Sequence, residues 1–519
     1  MKRDGAIEFR GHIEKSWAHR EMAAAGQAIF GQALALFVGG RFGRLAHGDR
    51  ETWDDSRRSG TRPYSEVGYW AIETATAAFA SVPVTCSIPP SRLTFRPRRL
   101  AFLEEETMLT LLKGGRIVDV NHHEDDQPYD VLIEDGIIRE VAAHIEVRPD
   151  ANVLDIRGKT LMPGLIDCHV HVMASMANLG ANAKLPNAFA LFRAVPILRG
   201  MLERGFTSVR DAGGADYALA QAVEAGLAEG PRLFTSGKAL SQTGGHADYR
   251  VRLDHSADHC PCSQYYGAIG RIVDGVDDIR RAIRQEIRQG ATQIKIMASG
   301  GVSSPTDPIG NLQFSEDEIR AAVAEARQHQ TYVMAHAYTA QAIKRAVELG
   351  VRTVEHGNLV DDDAARVMAE RGAFIVPTLI TYEACRTDGA EAGYPADSLV
   401  KNAAVLQKGL DSLEIYKRHK VKMAYGSDLL GTMHQRQSEE LMLRTRAFSN
   451  FEVICQATSI AAEVLNKTGE LGVVAPEATA DLLVVNGDPL QNIGLLGEQG
   501  RHLDVIMKQG ELFKNSLAA

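Results

Sequence analysis

Short apolar runs alternate with amphipathic stretches between residues 161 and 467, and this alternation predicts an α/β fold with parallel strands. Eight runs have the length of a strand; they cover residues 161–168, 206–211, 232–237, 291–298, 331–335, 351–355, 373–379 and 421–426. Helical patterns fill the intervals, as in residues 315–329, where Ser315 and Glu318 fit a capping box. Eight strands with their helices over roughly 300 residues match the size of a TIM-like (β/α)8 barrel.

Two segments that flank this region have a different pattern. Residues 108–160 and residues 468–519 both contain short runs of alternating apolar positions with Gly, Pro or Asn at the turns. We expect them to pair as the two halves of one small β-domain. The fold class expected is therefore α/β, with a barrel over residues 161–467 inserted in a split β-sandwich.

The first 107 residues differ in composition from the rest of the chain. They contain 13 Arg but only 2 Lys, all three Trp residues, and little periodicity. Either this segment is a separate N-terminal extension, or the true start of the protein is Met108 and the upstream segment is a mis-assigned reading frame. We favour the second of these two possibilities.

Composition narrows the classes of partner and compartment. The chain has 519 residues and a formal charge of −9, so no broad basic surface is expected to attract nucleic acid. The apolar stretch 22–40 is interrupted by Gln27 and Gln32 and is too broken to span a bilayer. Six scattered cysteines show no disulfide framework. We expect a cytoplasmic protein whose partner is a small molecule, with export as the less favoured alternative.

Residue types that commonly bind metals stand at five of the predicted strands. In an extended chain, residues i and i+2 point to the same side, so two histidines at that spacing can reach one ion. Each residue alone is compatible with an ordinary structural role, such as that of a hydrogen-bonded core histidine or a helix N-cap. Because the carboxyl ends of barrel strands converge on one mouth, the set predicts a metal site there. Its members are His169, His171, Lys295, His336, His356 and Asp428.

The lysine of this set points to a bridging ligand. Lys295 lies between two isoleucines, so its amine is expected in an apolar interior, where the charged form is disfavoured. A neutral amine can take up carbon dioxide, and the resulting carbamate has two oxygens that can bridge two cations. Two such cations would acidify a shared water and polarise a carbonyl.

These motifs resemble those of the amidohydrolase superfamily. The similarity covers about residues 108–519 and depends on PGLIDCHVH, Lys295, AHAY, VEHG and YGSD. It implies two divalent metal ions, expected to be zinc: His169, His171 and Asp428 hold one, His336 and His356 hold the other, and carboxylated Lys295 bridges them. It also implies that Asp428 orients the attacking hydroxide, accepts its proton and passes it to the departing amine. A homo-oligomer is expected as well.

Three loop segments narrow the expected substrate. One-metal deaminases of this superfamily typically lack the bridging lysine, so Lys295 favours the two-metal hydrolytic branch. The segments at 241–248, 298–308 and 335–339 resemble the group that cleaves dipeptides and N-acyl amino acids, which also contains ochratoxin-hydrolysing amidases. We expect hydrolysis of the amide bond to a C-terminal amino acid. Ring opening of a cyclic amide or imidazolone is the alternative, and a catalytically inactive scaffold is a third hypothesis.

Such a substrate ends in a free carboxylate, which needs hydrogen-bond donors outside the metal ligands. The candidates are His246, Tyr338 and Ser175, each of which has loop packing as its alternative role. Two tyrosines, Tyr265 and Tyr266, either line a pocket that accepts an aromatic group or fix their loop.

Two further clusters resemble metal sites, but a structural role is favoured for each of them. The first contains His255, His259, Cys260 and Cys262, whose spacing fits no zinc motif, so loop packing is favoured over a structural zinc. The second is the run 361–363 of three aspartates, which is expected to cap the helix that begins there.

Overall fold

The computed structural model describes residues 108–250, 253 and 265–517. The expectations for residues 1–107 and for the His255–Cys262 cluster lie outside the described residues. The strands are β1 (Leu109–Ile117), β2 (Pro128–Glu134), β3 (Ile137–Ala142), β4 (Asn152–Asp155), β5 (Thr160–Pro163), β6 (Leu165–Val170), β7 (Phe206–Asp211), β8 (Arg232–Thr235), β9 (Ala239–Ser241), β10 (Gly270–Ile272), β11 (Ile294–Met297), β12 (Val333–Thr339), β13 (Thr353–Leu359), β14 (Phe374–Val376), β15 (Leu482–Val485), β16 (Leu503–Lys508) and β17 (Glu511–Asn515).

Helices separate most of the parallel strands. The α-helices are α1 (Leu179–Asn182), α2 (Asn187–Glu203), α3 (Tyr217–Glu224), α4 (Val276–Arg288), α5 (Glu316–Gln328), α6 (Ala340–Glu348), α7 (Asp362–Arg371), α8 (Leu379–Ala392), α9 (Ala396–Arg418), α10 (Glu439–Arg444), α11 (Asn450–Gln456) and α12 (Ser459–Val464). Short 3-10 helices cover Gly431–Arg436, Ile493–Leu496 and Glu498–Gly500.

The flanking segments contribute to one eight-stranded sheet. Its order is β17-β16-β15-β5-β1-β2-β3, with β4 paired to β1. The two halves meet where β5 pairs antiparallel with β15, so that Leu161 lies opposite Val484. Both residues are fully buried in the apolar core of this sheet. Strands that precede and follow the α/β region are therefore joined through the centre of a single sheet.

The intervening region forms two parallel sheets. One contains β6, β7 and β8, and the other has the order β10-β9-β11-β12-β13-β14. Every residue of β6, β7 and β11 is buried, as is typical of parallel strands covered on both faces. Apolar side chains of α4, α5 and α6, such as Ile283, Ile319 and Ile343, share one core cluster with Ile294 of β11. The predicted α/β class is confirmed.

Helix starts follow the predicted capping chemistry. Ser315 and Glu318 form the reciprocal capping box at the start of α5. The Asp361 carboxylate accepts a hydrogen bond from the N–H of Ala364 and caps α7. Both predictions made from these motifs are confirmed.

The strand predicted over 161–168 is two strands in different sheets. β5 ends at Pro163 in the eight-stranded sheet, whereas β6 begins at Leu165 beside β7. The switch occurs at Gly164, where a Cβ atom would lie 2.1 Å from Thr207 Oγ1. Because the apolar run continues through this residue, hydrophobicity alone does not reveal the change of sheet.

The prediction of a strand over residues 421–426 was wrong. Among the described residues, this segment forms a single isolated parallel bridge, between Met423 and Ile375. The N–H of Cys168 still donates to the carbonyl of Tyr425 at 2.8 Å, so the segment lies beside β6 although its hydrogen bonding is too sparse for a strand. The three-residue strands β9 and β10 were not predicted, since three residues carry too little alternation to recognise.

None of the described helices is both long and apolar enough to cross a membrane.

Candidate active site

Six side chains of the predicted metal set lie at neighbouring strands. His169 belongs to β6 and His171 follows it directly. In the larger parallel sheet, β11, β12 and β13 place Lys295, His336 and His356 side by side, with His336 opposite Met297 and His356 opposite Ala337 in the register. Asp428 follows the segment beside β6. All of these side chains are buried except that of Asp428, which is 19% exposed.

The first group consists of His169, His171 and Asp428. Their candidate ligand atoms all lie within 4.8 Å of one another. Asp428 Oδ1 is 3.5 Å from His169 Nε2 and 3.3 Å from His171 Nε2. His169 Nε2 is buried and has no hydrogen-bond partner in the described part of the chain. A buried nitrogen that faces a carboxylate and a second imidazole has the surroundings of a metal ligand.

The other two histidines lie against this group. The ring centroids of His336 and His356 are 4.7 Å apart, and those of His356 and His169 are 4.9 Å apart. His356 Nδ1 is 3.8 Å from Asp428 Oδ2. The structure therefore brings all four predicted histidines and Asp428 together at one point.

Burial lowers the pKa of two of the clustered histidines and of the lysine. Desolvation, followed by the charge of Lys295, lowers the pKa of His169 well below its usual value, and desolvation lowers that of His356 to about 3. Burial likewise lowers the pKa of the Lys295 amine to about 8. Neutral imidazoles are the form that binds metal ions.

Two of the clustered residues have left-handed backbone conformations. The φ angle is +74° at His356 and +52° at Asp428, where side chains other than glycine are strained by about 1–3 kcal/mol. The N–H of Asp428 donates to the carbonyl of His169 at 2.8 Å, which fixes the two residues relative to each other. Such strain persists only where the surrounding contacts determine the conformation.

A buried ion pair orients His169. Glu355 Oε2 accepts a hydrogen bond from His169 Nδ1 at 2.7 Å, and the guanidinium of Arg210 binds both oxygens of Glu355 at 2.9 and 3.1 Å. Arg210 also donates to the Cys168 carbonyl at 2.6 Å. Both members of this Arg210–Glu355 pair have no exposed side-chain surface. With its Nδ1 hydrogen directed at Glu355, His169 presents an unprotonated Nε2 to the cluster.

Two aspartates fix the adjacent backbone. Asp211 accepts hydrogen bonds from the N–H groups of Val172 and Gly213, and the Gly213 carbonyl accepts from His171 Nδ1 at 2.9 Å. Asp167 binds the N–H of His169 and the Ser427 hydroxyl at 3.0 and 2.6 Å. The loop after β7 and the segment before Asp428 are thereby held against the histidines.

The match to a known family agrees with this arrangement. The model of the amidohydrolase family matches residues 160–512, which include every residue of the cluster. The chain belongs to the amidohydrolase family. It is a metal-dependent hydrolase of amide or peptide bonds, as the sequence predicted.

Individual relatives of this amidohydrolase are known. Ochratoxinase from Aspergillus niger is 30% identical over 375 residues, which are 69% of this chain and 76% of that protein. The crystal structure of a prolidase complexed with N-methylphosphonate-L-proline has a TM-score of 0.77 and 56% identity, and covers 79% of this chain and all of that one. A Xaa-Pro dipeptidase with bound methionine in its active site has a TM-score of 0.70 and 28% identity, over 78% of this chain and all of that one.

Two of the predicted substrate-binding residues lie beside the cluster of this amidohydrolase. The His246 ring stacks on that of His336 with centroids 4.1 Å apart, and its Nδ1 contacts the Ser304 hydroxyl at 2.8 Å. The Tyr338 ring stacks on His356 at 5.3 Å, and its hydroxyl contacts that of Tyr382 at 2.9 Å. Both side chains are in ring contact with candidate metal ligands.

The third predicted substrate-binding residue, Ser175, makes its hydrogen bonds to residues outside the cluster. The Ser175 hydroxyl donates to Asn182 Oδ1 at 3.1 Å, and the Ser175 carbonyl accepts from Arg193 at 3.0 Å. Of the two loop tyrosines, Tyr266 packs against a core cluster, whereas Tyr265 is 43% exposed and its carbonyl accepts from Lys238. The contacts of Ser175 and Tyr266 are compatible with loop packing, whereas the side chain of Tyr265 is exposed.

Sequence reasoning missed the residues that hold the ligands of this amidohydrolase. Arg210 lies within the predicted strand 206–211 and Glu355 directly precedes His356, so their positions were visible. Their pairing was not, because 145 residues separate them along the chain. A charged residue inside an apolar strand is the signal that could have indicated a buried partner.

Proposed function

We propose that this amidohydrolase hydrolyses the amide bond to a C-terminal amino acid in dipeptides or N-acyl amino acids, with a preference for proline at the released end. The observation that carries the proposal is the convergence of four histidines and Asp428 in one buried cluster, with the buried Lys295 on the strand next to that of His336. The substrate class is supported by the similarity to ochratoxinase, to the prolidase that holds a proline phosphonate, and to the Xaa-Pro dipeptidase.

We propose that seven parallel strands and the segment 421–426 form a closed barrel of eight units around this site. Three hydrogen bonds support the closure of the two parallel sheets. The N–H of Thr292 donates to the Thr235 carbonyl at 2.8 Å and connects β8 with the start of β11. The N–H groups of Cys168 and Ala424 donate to Tyr425 and Ile375, so the segment 421–426 lies between β6 and β14. The carboxyl ends of all these strands then face the proposed active site.

The donor set fits two divalent ions, and zinc suits imidazole ligands. His169, His171 and Asp428 would hold one ion, as the buried and unpartnered His169 Nε2 suggests, and His336 and His356 the other. Lys295 would bridge them as a carbamate, formed when its neutral amine adds to carbon dioxide and releases one proton. When bound, the ions supply Lewis-acid chemistry that polarises the scissile carbonyl and acidifies water.

Asp428 would move the proton during hydrolysis. The nearby imidazoles hold the pKa of its carboxyl below the usual value, so the carboxylate is ionised at neutral pH. It would accept a proton from the attacking water as the new C–O bond forms. It would then deliver that proton to the amide nitrogen as the C–N bond breaks, which gives a carboxylic acid and a free amino acid.

The carboxylate of the substrate would be bound by His246 and Tyr338. His246 Nδ1 is occupied by Ser304, whereas no hydrogen bond of its Nε2 is found among the described residues. The Tyr338 hydroxyl can donate to a ligand while it accepts from Tyr382. Ser175 remains a weaker candidate because Asn182 already binds its hydroxyl.

The test is release of free amino acids by the zinc-supplemented full chain. Substrates would be Xaa-Pro dipeptides, other dipeptides, N-acyl amino acids and an ochratoxin-type conjugate, with Lys295→Ala as the matched inactive variant. We expect release that requires Lys295 and is fastest with proline. If the folded, metal-loaded protein releases no amino acid from any of them, the proposal is wrong, and cyclic amides, whose opening liberates no amino acid, become the next substrates to test.

A further inference from the structure

A cavity lies at the end of the strands opposite the metal cluster. It has a volume of about 460 Å³ and is lined by the residues at which β12, β13 and β14 begin, among them Tyr332, Val333 and Ala373. His336 and His356, by contrast, lie three residues beyond the first residue of β12 and β13. The cavity is therefore separate from the site described above, and its volume is within the usual range for small-ligand sites.

The lining of this cavity is strongly basic. Arg327, Arg352 and Arg371 all contribute to it, and no aspartate or glutamate lines it in the described part of the chain. The chain as a whole carries a net charge of −9, so the local charge is opposite to that of the protein. Helices α5 and α7 end beside Arg327 and Arg371, and a helix C-terminus favours a nearby cation. This effect of the helix C-termini does not explain why three guanidinium groups line the same cavity.

One of the three arginines is held rigidly. Arg352 donates to the Glu463 carbonyl at 2.7 Å and to Asn466 Oδ1 at 2.5 Å. Its guanidinium also lies over the rings of Tyr332 and Phe374, at 4.6 and 5.4 Å from their centroids. A guanidinium fixed in this way loses little conformational entropy when it binds a ligand.

The other two guanidinium groups are available to a ligand. No ion pair or side-chain hydrogen bond of Arg327 or Arg371 is found among the described residues. A Cβ atom at Gly350 would lie 2.9 Å from Arg327 Nη2, so this glycine leaves room for the Arg327 guanidinium over the cavity. Two unpaired guanidinium groups therefore line the cavity together with the fixed one.

We propose that this cavity binds a small anion with at least two negative charges, carried on carboxylate or phosphate groups. Guanidinium groups bind both kinds of oxyanion in a bidentate manner, and charge-assisted hydrogen bonds of this type are about twice as strong as neutral ones. The floor formed by Tyr332, Val333 and Ala373 accommodates the apolar part of a small ligand.

The experiment measures binding of inorganic phosphate and, separately, of succinate to the full, zinc-loaded protein by titration calorimetry. The test variant is Arg327→Gln/Arg371→Gln. The matched control is Arg320→Gln, which removes an exposed arginine of the same helix that pairs with Glu316 outside the cavity. We expect the dissociation constant to rise by about tenfold or more in the test variant and to stay unchanged in the control. The anion that binds more tightly identifies the phosphate or the carboxylate class.

A residue-level measurement separates this site from the metal centre, which can also attract anions. Phenylglyoxal modifies exposed arginines, and mass spectrometry reports the rate at each one. The bound anion should slow modification of Arg327 and Arg371 but not of Arg320. The proposal is overturned if neither anion binds at about 10 mM, if the test variant binds as tightly as the parent, or if Arg320 is protected equally.

Discussion

Replacement of Glu355 by glutamine should separate metal binding from folding stability. Glu355 connects two buried groups: it accepts a hydrogen bond from His169 Nδ1 and pairs with Arg210 through both oxygens. Glutamine has nearly the same shape but no charge, and only one of its two head atoms can accept a hydrogen bond. The variant therefore leaves Arg210 buried without a counter-charge and weakens the orientation of His169.

The size of each effect follows from the geometry. Because neither side chain of the Arg210–Glu355 pair is exposed, removal of one charge is expected to lower the free energy of unfolding by about 3–5 kcal/mol. Loss of a carboxylate that orients a metal-binding histidine typically weakens metal affinity by about 10- to 100-fold. The stability loss is large but within the margin of about 5–15 kcal/mol that most domains have, so the variant should still fold.

Two measurements are needed: zinc affinity by competition with a chelator, and stability by urea denaturation of the metal-free protein. The control is Glu440→Gln, because Glu440 forms an equally buried pair with Arg444 and none of its hydrogen-bond partners is a histidine. Both variants should lose stability, but only Glu355→Gln should lose zinc affinity.

A double variant, Arg210→Met/Glu355→Leu, refines the test. It removes both buried charges, so it should regain much of the stability while zinc affinity stays low. The reasoning about His169 would be refuted if Glu355→Gln bound zinc within about twofold of the parent, or if the double variant recovered zinc affinity together with stability.

Three further results are expected. Asp428→Asn should keep part of its metal yet lower turnover by about 10²- to 10⁴-fold, which is the usual contribution of a proton-transferring group. Metal analysis and initial rates measure the two effects. Normal turnover would show that Asp428 does not transfer the proton. Gly301→Ala should raise KM with a smaller change in kcat, because its Cβ would lie 2.2 Å from His246 Cε1. Steady-state kinetics compare it with Gly310→Ala, whose Cβ would meet nothing within 4 Å, and equal KM values would contradict a role for His246 in binding. Removal of metal with a chelator should lower the melting temperature, and added zinc should restore it. The reason is that a ligand at 100 times its Kd stabilises the folded state by about 2.7 kcal/mol. An unchanged melting temperature would count against a metal held in the folded core.

Local sequence patterns were sufficient to place the candidate metal ligands, but not the residues that orient them. His169 and His171 are two residues apart in an extended segment, and Lys295, His336 and His356 each belong to a buried parallel strand, so their convergence follows from the topology of parallel strands. Arg210 and Glu355 meet only across the folded interior. Their pairing depends on which side chains of each strand point into the interior. The sequence of a strand that is buried on both faces does not show this.

The errors in the fold have a similar cause. The run 161–168 is apolar throughout, so nothing in its hydrophobicity distinguishes β5 from β6 on either side of Gly164. The segment 421–426 has the composition of a strand, yet among described residues it forms a single bridge, because pairing depends on neighbours that are remote in sequence.

The central position of β5 in the eight-stranded sheet has a consequence for biosynthesis. One edge of β5 pairs with β15, and the Thr160 hydroxyl binds the carbonyl of Gly487, 327 residues further along the chain. While the ribosome makes the intervening region, that edge of β5 has no partner, and an unpaired apolar edge can pair with other chains. We therefore expect aggregation to compete with folding of the nascent protein until β15 has been made.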